Sequence, residues 1–196
     1  MGLTIHYKCS FKKSASLSEM IEEVRDIVEV YKWEYHIFEK EFPKGGFGKK
    51  EFNRNIYGIA FLPPQCEGVS LCFLSNGQMG NPQMLEYWLK SKKPSEQRLI
   101  FSNFTKTQYA GPKVHKIIID LFRYLNKKYF KDLFLFDEGN YWQTNNEATL
   151  RYTFKEWAGL IDDFSHNLKT IKKKRDETTE GLIVRAAKKV HAKRKK

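Results

Sequence analysis

The chain has few of the residues that staple or interrupt a fold. Its 196 residues include only three cysteines, Cys9, Cys66 and Cys72. An odd number with no Cys-x-x-Cys spacing argues against a disulfide framework and against a zinc site, and fits reduced thiols in the cytosol. Proline and glycine are modest, at 6 and 12, so disorder is expected only in loops and a tail. No run approaches the roughly 18 apolar residues of a membrane-spanning helix. The opening Met1 to Lys8 also lacks the apolar stretch of a secretory signal. Gly2 invites a myristoylation reading, but His6 stands where Ser or Thr is wanted. These absences predict a cytoplasmic chain with no membrane partner, no metal and no cofactor.

What is present is aromatic mass and segregated charge. There are 15 Phe, 10 Tyr and 4 Trp, and hydrophobic residues make up 41% of the chain. A globule of about 150–170 residues buries roughly 70% of its extended-chain surface, enough for a core without staples. The formal net charge is +12, from 35 Lys and Arg against 23 Asp and Glu. Residues 169–196 hold 12 of those cations and only three acids, Asp176, Glu177 and Glu180. The charge is therefore mostly a property of the tail, and it speaks of partners and solubility rather than of fold.

Leu3 to Lys8 alternates apolar and polar residues, the pattern of a half-buried strand with His6 on its polar side. Leu17, Met20, Ile21, Val24, Ile27, Val28 and Tyr31 fall on one helical face, and Ser16 with Glu19 forms a capping box at its start. Strand patterns follow at Trp33–Phe42, Asn55–Leu62 and Gly68–Ser75, with weaker ones at Met84–Leu89 and Leu99–Thr107. Gly111-Pro112 opens a second helix with apolar Val114, Ile117, Ile118, Leu121, Tyr124 and Leu125. Asp132–Asp137 reads as a short, very apolar strand. Thr144 and Glu147 form another capping box before a long helix. Its Leu150, Phe154, Trp157, Ile161, Phe164, Leu168 and Ile171 repeat at 4-3 spacing, either a seam against the sheet or a pairing surface for a partner chain.

This order predicts an α+β fold: a largely antiparallel sheet of about five to seven strands, two or three helices packed on it, and a basic C-terminal helical tail. Residues 1–171 are expected to form one globular domain and 172–196 the tail. In the tail, Ile183, Ala186, Ala187 and Val190 share one side of a short helix.

Clustered lysines and arginines bind phosphate backbones by charge. The tail candidates are Lys172, Lys173, Lys174, Arg175, Arg185, Lys188, Lys189, Lys193, Arg194, Lys195 and Lys196; a solubilising tail accounts for them equally well. On the second helix, Lys116, Arg123 and Lys127 stand among Phe122, Tyr124, Tyr129 and Phe130. That mixture suggests a stacking platform for single strands or a solvated basic face. Pro43 to Lys50 has the look of a phosphate loop but departs from its pattern at both ends. Candidate catalytic groups are weak: His6 and His36, which would share a face if their strands flank the first helix in one sheet, and Asp137 with Glu138 at a strand end. Turn chemistry explains Asp137-Glu138-Gly139-Asn140 as simply.

Met1-Gly2-Leu3-Thr4-Ile5-His6-Tyr7, with Asn55–Ile59, Val69–Gly77 and Asp137–Trp142, resembles a group of uncharacterised bacterial proteins. That resemblance implies a bacterial cytosolic protein and transfers no site residue. The expectation is a non-catalytic protein that associates with DNA or RNA through its basic tail. The alternatives are a small enzyme on a phosphate-bearing substrate, using His6/His36 or Asp137/Glu138, and an interaction module or homodimer pairing through the Leu150–Ile171 helix.

Overall fold

The computed structural model describes residues 2–194. The chain divides into two compact units, Met1–Leu150 and Arg151–Lys196. It is α+β and its strand ladders are antiparallel, but two corrections apply. The strands form two three-stranded sheets rather than one, and the described residues hold seven α-helices rather than two or three.

The first sheet has the order β5-β1-β6, from β1 (Thr4–Phe11), β5 (Asn103–Lys106) and β6 (Phe130–Asp137). The second has the order β2-β3-β4, from β2 (Glu34–Ile37), β3 (Tyr57–Leu62) and β4 (Val69–Phe73). Helix α1 (Leu17–Val30) packs on β2 and β3, and α4 (Gly111–Lys128) packs on β6. The two sheets meet through aromatic rings. Phe11 and Phe73 stand edge to face at 5.1 Å, and Phe73 lies 5.8 Å from Phe130. Tyr7 meets Phe122 of α4 at 4.6 Å. Such offset contacts suit the quadrupoles of the rings and fill the interior with rigid groups.

Local chemistry sets the helix starts. Ser16 Oγ accepts the Glu19 N–H, as the capping pattern predicts. The Met84–Leu89 strand expectation is overturned, because those residues belong to α2 (Pro82–Trp88) or its C-cap. Asn81 Oδ1 accepts from Gln83 N and Met84 N, and Pro82 fills the first helical turn, where its missing N–H is harmless. A helix start thus hides in residues whose composition suggests a turn. The expected Leu99–Thr107 strand splits into a 3₁₀ turn (Arg98–Phe101), preceded by α3 (Pro94–Gln97), and β5. The expected Trp33–Phe42 strand shrinks to β2. Leu74, Leu85 and Ile100 form a satellite core, packed by Phe52, Trp88 and Phe101.

After β6 comes the single turn α5 (Tyr141–Thr144), then α6 (Glu147–Thr170). Asn146, not Thr144, caps α6: its Oδ1 accepts from Ala148 N and Thr149 N. On the 4-3 seam Leu150 and Phe154 are buried, while Trp157, Ile161, Phe164, Leu168 and Ile171 are half-buried. The last helix is α7 (Thr179–Arg194). Its inward stripe is Ala186 and Val190, whereas Ile183 is exposed. Among the described residues no helix is long and apolar enough to cross a membrane.

β3 also explains one glycine. Gly58 has φ +126°, and a Cβ there would collide with the Leu71 carbonyl oxygen. Only glycine lets β3 and β4 approach so closely.

Candidate nucleic-acid interface

The alternation of β1 sends Ile5, Tyr7 and Cys9 into the core and leaves Thr4, His6, Lys8 and Ser10 on the other face. His6 stands opposite Phe104 on β5 and opposite Phe136 on β6. The three rings form a row across the sheet, with centroids 6.2 Å and 6.0 Å apart. Phe104 is 43% exposed, Phe136 50% and Phe134 53%. Lys8 lies opposite Phe134 and carries Nζ 5.1 Å from that ring's centre. Lys131 faces Ser10, and Lys106 faces Thr4.

β6 therefore differs from the buried strand its composition suggests. Leu135 and Asp137 face inward while Phe134 and Phe136 face solvent. The register also shifts between Lys8 and Ser10, where Asp132 takes φ +56°. That extra residue lets Phe130 face inward beside Phe11 while Phe134 and Phe136 stay on the outer face. Contiguous exposed apolar groups on one face mark an interaction site more than isolated ones do.

Glu138 borders this face. Its Oε1 lies 3.8 Å from His6 Nε2, and its Oε2 accepts the Thr4 N–H at 2.9 Å. His6 and Glu138 are therefore neighbours. His36 is not: it lies on β2 in the other sheet, exposed and 4.5 Å edge-on to Phe38. The two histidines do not share a face.

Asp137 turns the opposite way, into a sealed network that spacing could not reveal. His115 Nε2 lies 2.9 Å from Asp137 Oδ1, and His115 Nδ1 lies 2.7 Å from Thr107 Oγ1. Thr107 and His115 are fully buried and Asp137 is 1% exposed. Asp137 also accepts from Gly139 N at 2.6 Å, Tyr141 N at 2.7 Å and Trp142 N at 2.9 Å. Burial alone would push its carboxyl up; the His115 imidazole and the Trp142 and Gly139 amides outweigh that and hold it below its ordinary range. A Cβ at Gly139 would sit 2.8 Å from His115 Nε2, so glycine is needed there. The trio has the groups of a hydrolytic triad, but all three are sealed from solvent, and their geometry ties β6, α4 and α5 together. The helical spacing of His115 with Ile118, Ile119 and Phe122 was the one signal that it is buried.

The α4 platform is not present. Phe122, Tyr129 and Phe130 are buried, and Tyr124 donates to Glu23. Lys116 pairs with Asp120 at 2.6 Å, which raises its pKa, with Tyr141 adding to the shift. Arg123 binds Asp120, Asn145 and the carbonyls of Tyr141 and Trp142. Both cations brace the α5 turn; Lys127 is exposed.

In the second unit Lys172, Lys173, Lys174, Arg175, Lys188 and Lys189 are exposed. Arg185 grips Glu177 through two hydrogen bonds of 2.8 and 2.7 Å and also donates to the Lys172 carbonyl. It organises the turn before α7 and is already occupied. Lys195 and Lys196 lie outside the described residues, as do the side chains of Lys193 and Arg194.

Thiol chemistry has little support. Burial pushes Cys66 and Cys72 up to about 12, and Cys9 is raised as well. Among the described residues no group of three His, Cys, Asp or Glu converges as a metal site requires. The chain matches no protein-family model, no curated protein and no solved structure.

Proposed function

We propose that this protein binds single-stranded nucleic acid without catalysis. The outer face of sheet β5-β1-β6 would stack bases, and the exposed cations of the second unit would attract phosphates. The observation that carries this reading is the row Phe104–His6–Phe136, held in register across three strands and open to solvent. Bases stack on aromatic faces whatever their identity, and nearby lysines neutralise the backbone. Lys8, Lys106 and Lys131 border the rings. A duplex hides its base faces and would gain only from the charge.

The test is fluorescence anisotropy with labelled single- and double-stranded DNA and RNA across a salt titration. Intact protein should favour single strands, and Phe104→Ala with Phe136→Ala should abolish that preference while residual salt-dependent binding persists. Equal binding of duplex and single strand, unchanged in the ring variant, would sink the stacking role.

A further inference from the structure

The outer face of sheet β5-β1-β6 carries a group that stacking does not use. Glu138 follows Phe136 by two positions, just past the end of β6, and reaches the side of the sheet where His6 stands. Its N–H donates to the Thr4 carbonyl at 3.2 Å, and its Oε2 accepts the Thr4 N–H at 2.9 Å. Backbone and side chain are both tied to β1, so the carboxylate is held in place before any ligand arrives. Oε1 lies 3.8 Å from His6 Nε2, beyond hydrogen-bond reach, and the side chain is 33% exposed. A carboxylate offers about four lone-pair sites, and Thr4 takes one of them.

A negative charge works against phosphate binding on this face. Lys8, Lys106 and Lys131 attract the backbone of a nucleic acid, whereas Glu138 repels it. A neutral carboxamide would accept the Thr4 N–H as well. The charge therefore gains something only where a ligand brings donors to it. In a single strand the Watson–Crick edges of the bases are free to supply them. Same-side positions on a strand are about 7 Å apart, so a base lying over Phe136 brings one edge to Glu138.

Of the common bases, guanine sets two donors, N1–H and the N2 amino group, side by side on that edge. They match a carboxylate as the parallel N–H groups of an arginine do. Adenine and cytosine offer one amino donor beside a bare ring nitrogen, whose lone pair repels the second carboxylate oxygen. Uracil and thymine offer N3–H between two carbonyls. We propose that Glu138 reads guanine: a guanine stacked on Phe136 donates N1–H and N2–H to the Glu138 carboxylate. The inference rests on the single-strand reading and gives that base-tolerant platform a selective position. A free guanine nucleoside has the same chemistry, so both sources enter the test.

The experiment measures, at fixed salt, binding of twelve-residue thymine strands whose two central positions are guanine, inosine, adenine or thymine, and of free guanosine against free adenosine. The full chain, Glu138→Gln and Phe136→Ala are compared, each checked by thermal melting. The guanine strand should bind roughly tenfold tighter than the thymine strand, the discrimination of one bidentate contact. Inosine keeps N1–H but lacks the N2 amino group. It should lose most of that gain on the unaltered protein, a result that needs no variant to fold. Glu138→Gln still accepts the Thr4 N–H but sets a donor against guanine's donors. It should erase the guanine preference while thymine-strand binding stays the same or rises; an equal loss on every strand would mark a merely structural role and overturn the proposal. Phe136→Ala should weaken every strand. Guanine bound no better than thymine, or a preference that inosine and Glu138→Gln leave unchanged, overturns guanine reading by Glu138 and leaves the single-strand reading standing. Guanosine binding that depends on Glu138, without strand binding, supports the guanine site and overturns the strand reading. Binding of neither strands nor guanosine overturns both.

Discussion

Phe136 stands directly across the β1–β6 ladder from His6, with ring centroids 6.0 Å apart on a face open to solvent. The contact adds little to the core, since Phe136 is half exposed. Replacing Phe136 with alanine should leave the melting temperature nearly unchanged and weaken single-strand binding. A stacked base is worth about 1–3 kcal/mol, or roughly 5- to 150-fold in affinity. Anisotropy at fixed salt reads the loss. An equal loss on duplex DNA would point to charge rather than stacking.

The exposed cations of the second unit act differently. Replacing Lys172, Lys173, Lys174 and Arg175 together with glutamine should weaken every nucleic acid alike. The slope of log K against log salt should become shallower by about 0.7 for each single-strand phosphate that these cations no longer neutralise. An unchanged slope would make this cluster a solubility feature.

Arg185 is expected to behave as a structural residue. Its guanidinium, with help from the Lys174 amide, holds the Glu177 carboxyl down to about 2, below its ordinary value. A carboxylate depressed in the folded state stabilises above its unfolded pKa of about 4.3, and that contribution fades as pH falls toward the folded value. The ordering of residues 172–185 should therefore loosen in acid between about pH 4.3 and 2. Amide exchange across that segment measures it, and Glu177→Gln should remove this acid dependence by loosening the turn already at neutral pH.

Asp137 is the least replaceable carboxylate in the first unit. Asp137→Ala strands the Gly139, Tyr141 and Trp142 amides and removes the carboxylate that faces buried His115. Leaving a buried donor unpaired costs about 1–3 kcal/mol. Urea denaturation should show that loss, while nucleic-acid binding per folded molecule stays the same. An unchanged midpoint would contradict the structural role assigned to the network.

Much of the first unit was legible one residue at a time. The alternation of Thr4–Lys8 placed His6 and Lys8 outward before any pairing was known, because successive strand side chains point to opposite faces. Ser16 with Glu19, and Gly111 with Pro112, marked helix starts through backbone chemistry acting within one turn. Asn81-Pro82 carries the same kind of information less distinctly, because Asn and Pro serve turns as well as helix starts.

Leu133-Phe134-Leu135-Phe136 was not legible. Every position is apolar, so the run carries no period-2 signal and reads as buried on both faces. Only pairing with β1 decides that the phenylalanines share a face with His6 while Leu135 joins the core. His115 and Asp137 are 22 positions apart in the chain, and nothing in their spacing announces a contact. The amino-acid sequence by itself determined the local elements, the segregated charge and the polar face of β1, since capping, periodicity and net charge act over a few residues. Tertiary structure alone decided that Phe104, His6 and Phe136 form one row, that Asp137 is sealed away, and that His36 lies on the other sheet. Each of those facts depends on register between strands distant in the chain, and register is set by the packing of the whole core.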